Sequence, residues 1–200
     1  MTDLFKEKAQ DWEVNEVVKG IFMGVSSALR DNVALDNSMH VMDFGAGTGL
    51  VTQYVADKVG KVTAVDVSEA MLDKLKAKNE LQGKVEVLCQ NIVEQPIGTE
   101  FDLIVSAMAI HHVENTDKLI QRFAEHLKPG ARIALADLDT EDGSFHPEDA
   151  EGVHHTGFDR DAFRGLLLKH GFQDVHFVTA HTLQKEAKQY SIFLALAAKR

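Results

Sequence analysis

What the chain has little of narrows it first. A single cysteine in 200 residues, Cys89, excludes an internal disulfide and any zinc site built from several thiolates. Positive charge is outnumbered, with 21 Lys and Arg against 31 Asp and Glu and a formal charge of −10. No long Lys or Arg run interrupts that balance, which argues against a phosphate-backbone partner. No apolar run is long enough to span a bilayer, and Met1 to Lys6 lacks the basic and apolar regions of a secretory leader. The expectation is a soluble cytoplasmic protein with no nucleic-acid or membrane partner. Its oligomeric state is unreadable. No repeat, second domain or low-complexity tract is visible, and 200 residues suffice for one domain with a sizeable core.

What is present centres on residues 39–50, Met-His-Val-Met-Asp-Phe-Gly-Ala-Gly-Thr-Gly-Leu. Val41 to Phe44 reads as a buried strand, and Leu50 to Asp57 carries apolar residues at helical spacing. Between them Gly45, Gly47 and Gly49 alternate. Glycine lets a backbone turn tightly and admit a ligand closely, and the helix that follows offers unbonded N–H groups. A dinucleotide fingerprint would place its third glycine where Leu50 stands. A second strand, Val62 to Asp66, ends in an acid about one helix further on. In a parallel sheet that carboxylate lies beside the glycine turn, positioned for two ribose hydroxyls.

Together these residues resemble the cofactor site of class I S-adenosylmethionine-dependent methyltransferases, whose first motif Asp43-Phe44-Gly45-Ala46-Gly47-Thr48-Gly49 closely matches. The resemblance runs from Met39 to the C-terminus and implies a doubly wound, mostly parallel seven-stranded α/β sheet with an antiparallel C-terminal strand. It implies S-adenosylmethionine as cofactor and S-adenosylhomocysteine as product. Gly45, Ala46, Gly47 and Gly49 would pass the methionine moiety, Asp43 would help hold its ammonium, and Asp66 would take the ribose hydroxyls. Val67 and Met71 would touch the adenosine, Met71 having a plain core role as its other reading. Asn91 stands where the family usually has an acid for the adenine amino group; it either accepts that bond or satisfies its own loop. Ile92 would pack on adenine, and Ser106, at the end of the fourth strand, would let the sulfonium approach.

The chain divides into an N-terminal helical cover over residues 1–37 and an α/β core over 38–200, within one methyltransferase domain. Trp12 lies either over substrate or in packing. Strands are expected at 85–88, 101–106, 131–138, 175–179 and 191–198, with helices at 68–79, 117–127 and 159–170. Residues 139–157 form a long polar loop rich in acids and histidine at the ligand-binding edge.

Histidine is the remaining signal. His111 and His112 follow the fourth strand, in a His-His-Val stretch like that of small-molecule methyltransferases of quinone biosynthesis. They either accept a proton from the methyl acceptor or serve packing. His154 and His155, with His146, sit in the polar loop and would line a substrate lid or lie in solvent. No spacing matches a metal motif, so no metal is expected. The leading reading is methyl transfer to a small molecule by direct displacement. The alternatives are an NAD(P)-dependent oxidoreductase, disfavoured by Leu50 and the lack of a Tyr-x-x-x-Lys pair, and a non-catalytic S-adenosylmethionine-binding module. Nucleic-acid methylation is opposed by the charge and by the lack of a base-handling Pro-Pro-Tyr motif.

Overall fold

The computed structural model describes residues 3–147, 149–185 and 187–200. Seven strands form one sheet in the order β3-β2-β1-β4-β5-β7-β6. They are β1 His40–Phe44, β2 Lys61–Asp66, β3 Val85–Cys89, β4 Phe101–Ala107, β5 Leu127–Leu138, β6 Phe172–Lys185 and β7 Lys188–Lys199. The first five pair in parallel, and β7 inserts antiparallel between β5 and β6. The closing pair is far longer than 175–179 and 191–198: Leu183↔Tyr190 and Lys185↔Lys188 carry it out past the sheet as a hairpin. Its polar outer half, Thr182, Gln184 and Lys185, gives no apolar run from which to read a strand.

The alternation of side chains along each strand explains the layers. Val41, Ala64, Leu103 and Val105 face one core; Met42, Val65 and Ile104 face the other. The first face takes α1 (Glu16–Asn32), α2 (Leu50–Ala56) and α3 (Glu69–Lys76) through Ile21, Val25, Val51, Val55, Leu72 and Leu75. The second takes α4 (Thr116–Glu125) and α5 (Arg160–Lys169) through Leu119, Ile120, Phe123, Phe163 and Leu167. Being covered on both sides is why the inner strands read as unbroken apolar runs. Phe123 is fully buried, and truncating it to Ala would cost about 3–5 kcal/mol.

Four helices begin on a side-chain cap that accepts from the first turn: Asn15 for α1, Ser68 for α3, Asn115 for α4 and Asp159 for α5. The exception, α2, begins on Gly49 at φ 90°, with no side-chain cap bond. That helix N-terminus belongs to the glycine turn. Strand order reverses between β1 and β4, which opens a crevice at the carboxyl ends of the strands.

The N-terminal segment is less helical than its periodicity suggests. Residues 4–11 form turns, Trp12–Val14 a short 3-10 turn, and only from Glu16 does an α-helix run. Asn15 is the reason: its side-chain oxygen accepts from Val17 and Val18 N–H and starts the helix afresh.

Candidate active site

The glycine turn is tied to the second strand by its backbone. Gly45 and Ala46 N–H both donate to the Val65 carbonyl, at 2.8 and 3.1 Å, and Gly47 N–H donates to Asp66 Oδ2 at 2.8 Å. Asp66 Oδ1 accepts from Ser68 N–H at 2.8 Å, so one carboxylate joins the turn to the cap of α3. Burial raises the Asp66 pKa, against the hydrogen bonds from Ser68 and Gly47 that lower it. A carboxylate offers about four acceptor positions, and two are filled by backbone N–H groups here. About two are left for hydroxyls.

Two glycines have distinct reasons to be glycine. At Gly45, φ +67°, a Cβ would collide with the Ala109 side chain, so β1 and the chain after β4 meet only because no side chain stands there. Gly47, φ +54°, has nothing among the described residues within 4 Å of where a Cβ would point. That space is a cradle against bare backbone. Beneath the turn Asp43 is 1 % exposed and accepts from the Thr52 hydroxyl at 2.6 Å. Burial pushes its pKa up to about 7, the Thr52 bond opposing and the nearby Asp66 charge adding to the rise.

The other expected contacts divide. Val67, 56 % exposed, presents an apolar side chain just past Asp66, as an adenosine contact would need. Met71 is buried yet stands in neither core cluster. Asn91 Oδ1 accepts from Val93 N–H at 3.0 Å, the self-satisfied loop reading, which leaves its second lone pair for another donor. Ile92 is fully buried, and its side chain packs in the second core cluster. A hydrophobic residue after a strand faces either way, and period alone does not decide. The Ser106 hydroxyl is buried without a hydrogen-bond partner among the described residues, beside Phe44 in the register that leads into the glycine turn.

Past β4 the chain makes a sharp turn on Met108, a non-glycine residue at φ 58°, whose N–H donates to the Ala136 carbonyl. Such a conformation costs about 1–2 kcal/mol. It aims the short helix Ile110–His112 at Asp137, near the end of β5. Ile110 and His111 N–H donate to Asp137 Oδ2 at 2.9 and 3.3 Å, and Leu138 N–H to Oδ1 at 2.8 Å. His111 Nδ1 completes the set at 2.7 Å from Oδ1. Burial would raise the Asp137 pKa, but the His111 ring and these hydrogen bonds outweigh it and hold the carboxyl below its ordinary value.

The polar loop closes over this cluster. His154 and His155 N–H donate to the His111 carbonyl, and the Gly152 carbonyl accepts from His112 Nδ1 at 2.8 Å. Of the loop histidines it is His146 whose ring joins His111, Nε2 to Nε2 at 3.2 Å. His155 is spent on the Val113 carbonyl and the Phe158 ring, and His154 is exposed. Desolvation is the main force lowering the pKa of His112 to about 3 and of His146 to about 4, so both rings are neutral at physiological pH.

The N-terminal segment reaches across both halves. Asp3 accepts from the Ser68 hydroxyl and Ala70 N–H, Glu13 pairs with Lys78 at 2.5 Å, and the Phe5 ring meets His112 edge-on at 5.1 Å. The N-terminal aromatic that touches the histidines is therefore Phe5, and Phe145 meets His146 edge-on at 4.9 Å. Trp12 is half-buried in its 3-10 turn and forms no ring pair with them among the described residues. A cleft of about 220 Å³ lies between Glu13, Thr48, Lys74 and Lys78. A larger hollow of about 680 Å³ is lined by Asp139, Arg160 and Arg164 and includes none of the glycine turn, Asp66, His111, His112 or His146.

Residues 41–130 match the methyltransferase domain family, a span holding the glycine turn, Asp66 and the histidine pair. That span, 90 of the 200 residues, makes the chain similar to methyltransferases. An uncharacterised methyltransferase of Schizosaccharomyces pombe is 32 % identical over 139 residues, 61 % of this chain and 49 % of that protein. One from Geobacillus kaustophilus is 27 % identical across 85 % of this chain and 87 % of its own. The ubiquinone biosynthesis O-methyltransferase of Coxiella burnetii is 31 % identical over half of this chain and 43 % of its own. The chain thus spans about half the length of the yeast and Coxiella relatives. The fold is shared with the N-methyltransferase NodS of Bradyrhizobium japonicum, solved with S-adenosylhomocysteine, at TM-score 0.73 over 99 % of both chains and 13 % identity. It is also shared, at TM-score 0.82, 16 % identity and 99 % and 98 % coverage, with a chain from the complex of the Haloferax volcanii Trm112 activator and a methyltransferase. Sequence reading singled out the glycine turn, Asp66 and the histidine pair. It missed Asp3, Phe5 and Asp137, and left His146 as one loop histidine among three. Asp137 carried a signal: an acid inside a run of fully buried apolar residues must have partners.

Proposed function

We propose that the chain binds S-adenosylmethionine along the glycine turn and transfers its methyl group to a small-molecule acceptor, leaving S-adenosylhomocysteine. The observation that carries this is the Gly47–Asp66 bond beside the open space over Gly47: a carboxylate with acceptor capacity to spare, next to a backbone cradle. The residues present fit the cofactor. Asp66 would take the ribose hydroxyls, Val67 and Met71 the adenosine, and the orphaned Ser106 hydroxyl would gain a partner near the sulfonium. Asp43 would support the ammonium from under the turn. When bound, the cofactor supplies a methyl group activated by its positive sulfur.

The chain's own part is alignment and proton handling. With Asp137 accepting a hydrogen bond from His111 Nδ1–H, His111 Nε2 faces His146 Nε2 at 3.2 Å and is the ring nitrogen left to accept a proton from the acceptor. His112, fixed by Gly152, and Phe5 wall the same space. A small acceptor is supported by this closure, in which residues 3–14 and the polar loop meet where Leu4 lies against Gly152. The acidic charge of the chain opposes a nucleic-acid acceptor. Residues 3–37 then act as a cover that excludes water. Thermal denaturation with S-adenosylhomocysteine, with NADH in a parallel sample, tests the reading. A rise in Tm with the first ligand and none with NADH is expected; the reverse would overturn it.

A further inference from the structure

We propose that His111, His112 and His146 form a three-imidazole site for a divalent transition metal of the zinc type, oriented by Asp137. Potential ligand nitrogens of the three side chains all lie within 4.8 Å of one another, and His111 and His146 Nε2 are 3.2 Å apart. Zinc–nitrogen bonds of about 2.0–2.1 Å in tetrahedral geometry place neighbouring nitrogens about 3.4 Å apart. The closest pair is already within a few tenths of an ångström of that, and the third ring's ligand atom lies within 4.8 Å of both.

The tautomers follow from the partners. A carbonyl oxygen only accepts, so His112 Nδ1 must carry its proton to bond Gly152, and its Nε2 lone pair is free. The Asp137 carboxyl oxygen 2.7 Å from His111 Nδ1 imposes the same on His111. Holding a ligating imidazole by its other N–H on a carboxylate or backbone carbonyl is how metal sites fix their first ligands. Asp137 is fully buried and bonded by three backbone N–H groups besides the ring, so the anion that would balance a cation cannot move away.

The nitrogen donors select the metal's class. Imidazoles suit zinc and its first-row neighbours, whereas magnesium and calcium require oxygen ligands. Three protein ligands leave a fourth position, as in catalytic zinc sites, and here it lies among the residues that wall the acceptor space. A bound metal would hold the acceptor's oxygen, nitrogen or sulfur and lower its pKa. The three Nε2 lone pairs would then be committed to the metal, which replaces direct proton acceptance by His111. Spacing could not show this, because two ligands are adjacent and the third comes from a loop 35 residues on.

The site is tested without cofactor, so its failure is distinct from failure of the methyltransferase reading. Untagged protein is stripped with chelator, titrated calorimetrically with Zn²⁺ at neutral pH, and loaded with Co²⁺ for its visible spectrum. The expected result is one equivalent bound at about micromolar affinity or better, a tetrahedral cobalt spectrum, and at least about 100-fold weaker binding in both His146→Ala and His112→Gln. His146→Ala changes a loop side chain, and its unfolding in chelator checks that the fold persists. Binding weaker than about 100 µM in the parent protein, or undiminished in either variant, overturns the proposal.

Discussion

His111 and Asp137 meet at 2.7 Å from opposite sides of one strand pair, His111 after β4 and Asp137 near the end of β5, and neither is exposed by more than 1 %. The contact ties the acceptor pole to the sheet. Breaking it from the Asp137 side leaves the ring and three backbone N–H groups without their acceptor. Asp137→Ala should therefore destabilise the protein by about 3–5 kcal/mol in urea titration. Asp137→Asn, which keeps an oxygen of the same shape, should cost visibly less. Equal losses would show that shape and charge are not separable there.

The glycine turn predicts a contrast between neighbours. Gly45→Ala forces a methyl into Ala109 in addition to its backbone strain, and should lower Tm strongly. Gly47→Ala meets open space and carries only the strain of its positive φ, about 1–2 kcal/mol. It should fold yet bind S-adenosylhomocysteine at least about 10-fold more weakly, because its methyl occupies the cradle. Denaturation curves beside ligand titrations check both halves. A Gly47→Ala protein with unchanged affinity would place the ligand elsewhere.

That contrast marks how far the sequence could be read. Strand, glycine turn, helix and Asp66 were legible because each obeys a short-range rule: apolar period, turn chemistry, and a strand ending in an acid. Which face a residue takes was legible inside strands and not just beyond them, where Ile92 turns into the second core cluster. The acceptor pole was legible only as the His-His pair. Its partners Asp137, His146 and Phe5 come from β5, the polar loop and the N-terminal segment, 26, 35 and 107 residues away from His111 or His112. Only the sheet order and the left-handed turn on Met108 bring them together.

Asp43 predicts a pH effect. In the folded chain its pKa is about 7, mainly through burial, against about 3.9 when unfolded. Between those values the folded state holds a proton that the unfolded state has lost, so stability falls as pH rises from about 4 to about 7 and the loss is complete above that. Asp43→Asn cannot ionise and keeps an oxygen for Thr52. Its stability should exceed that of the parent by a few kcal/mol at pH 8, with the gap closing towards pH 4. Parallel pH profiles for the two proteins would contradict the buried acid.

Closure by the N-terminal segment predicts a kinetic effect. Asp3→Ala removes the acceptor for Ser68 and Ala70, loosening the strap beside Asp66. Stopped-flow release of S-adenosylhomocysteine should be faster by about 10-fold, with global stability changed by less than about 1 kcal/mol. Unchanged release would make residues 3–14 a packing element rather than a cover.

The account turns on Asp66. Calorimetric titration of the protein with S-adenosylhomocysteine, beside Asp66→Ala and with NADH as comparison ligand, tests it most directly. The account predicts binding near micromolar affinity, loss of at least about 100-fold in the variant, and no NADH signal. Undiminished binding in Asp66→Ala, or NADH binding without S-adenosylhomocysteine, would contradict it.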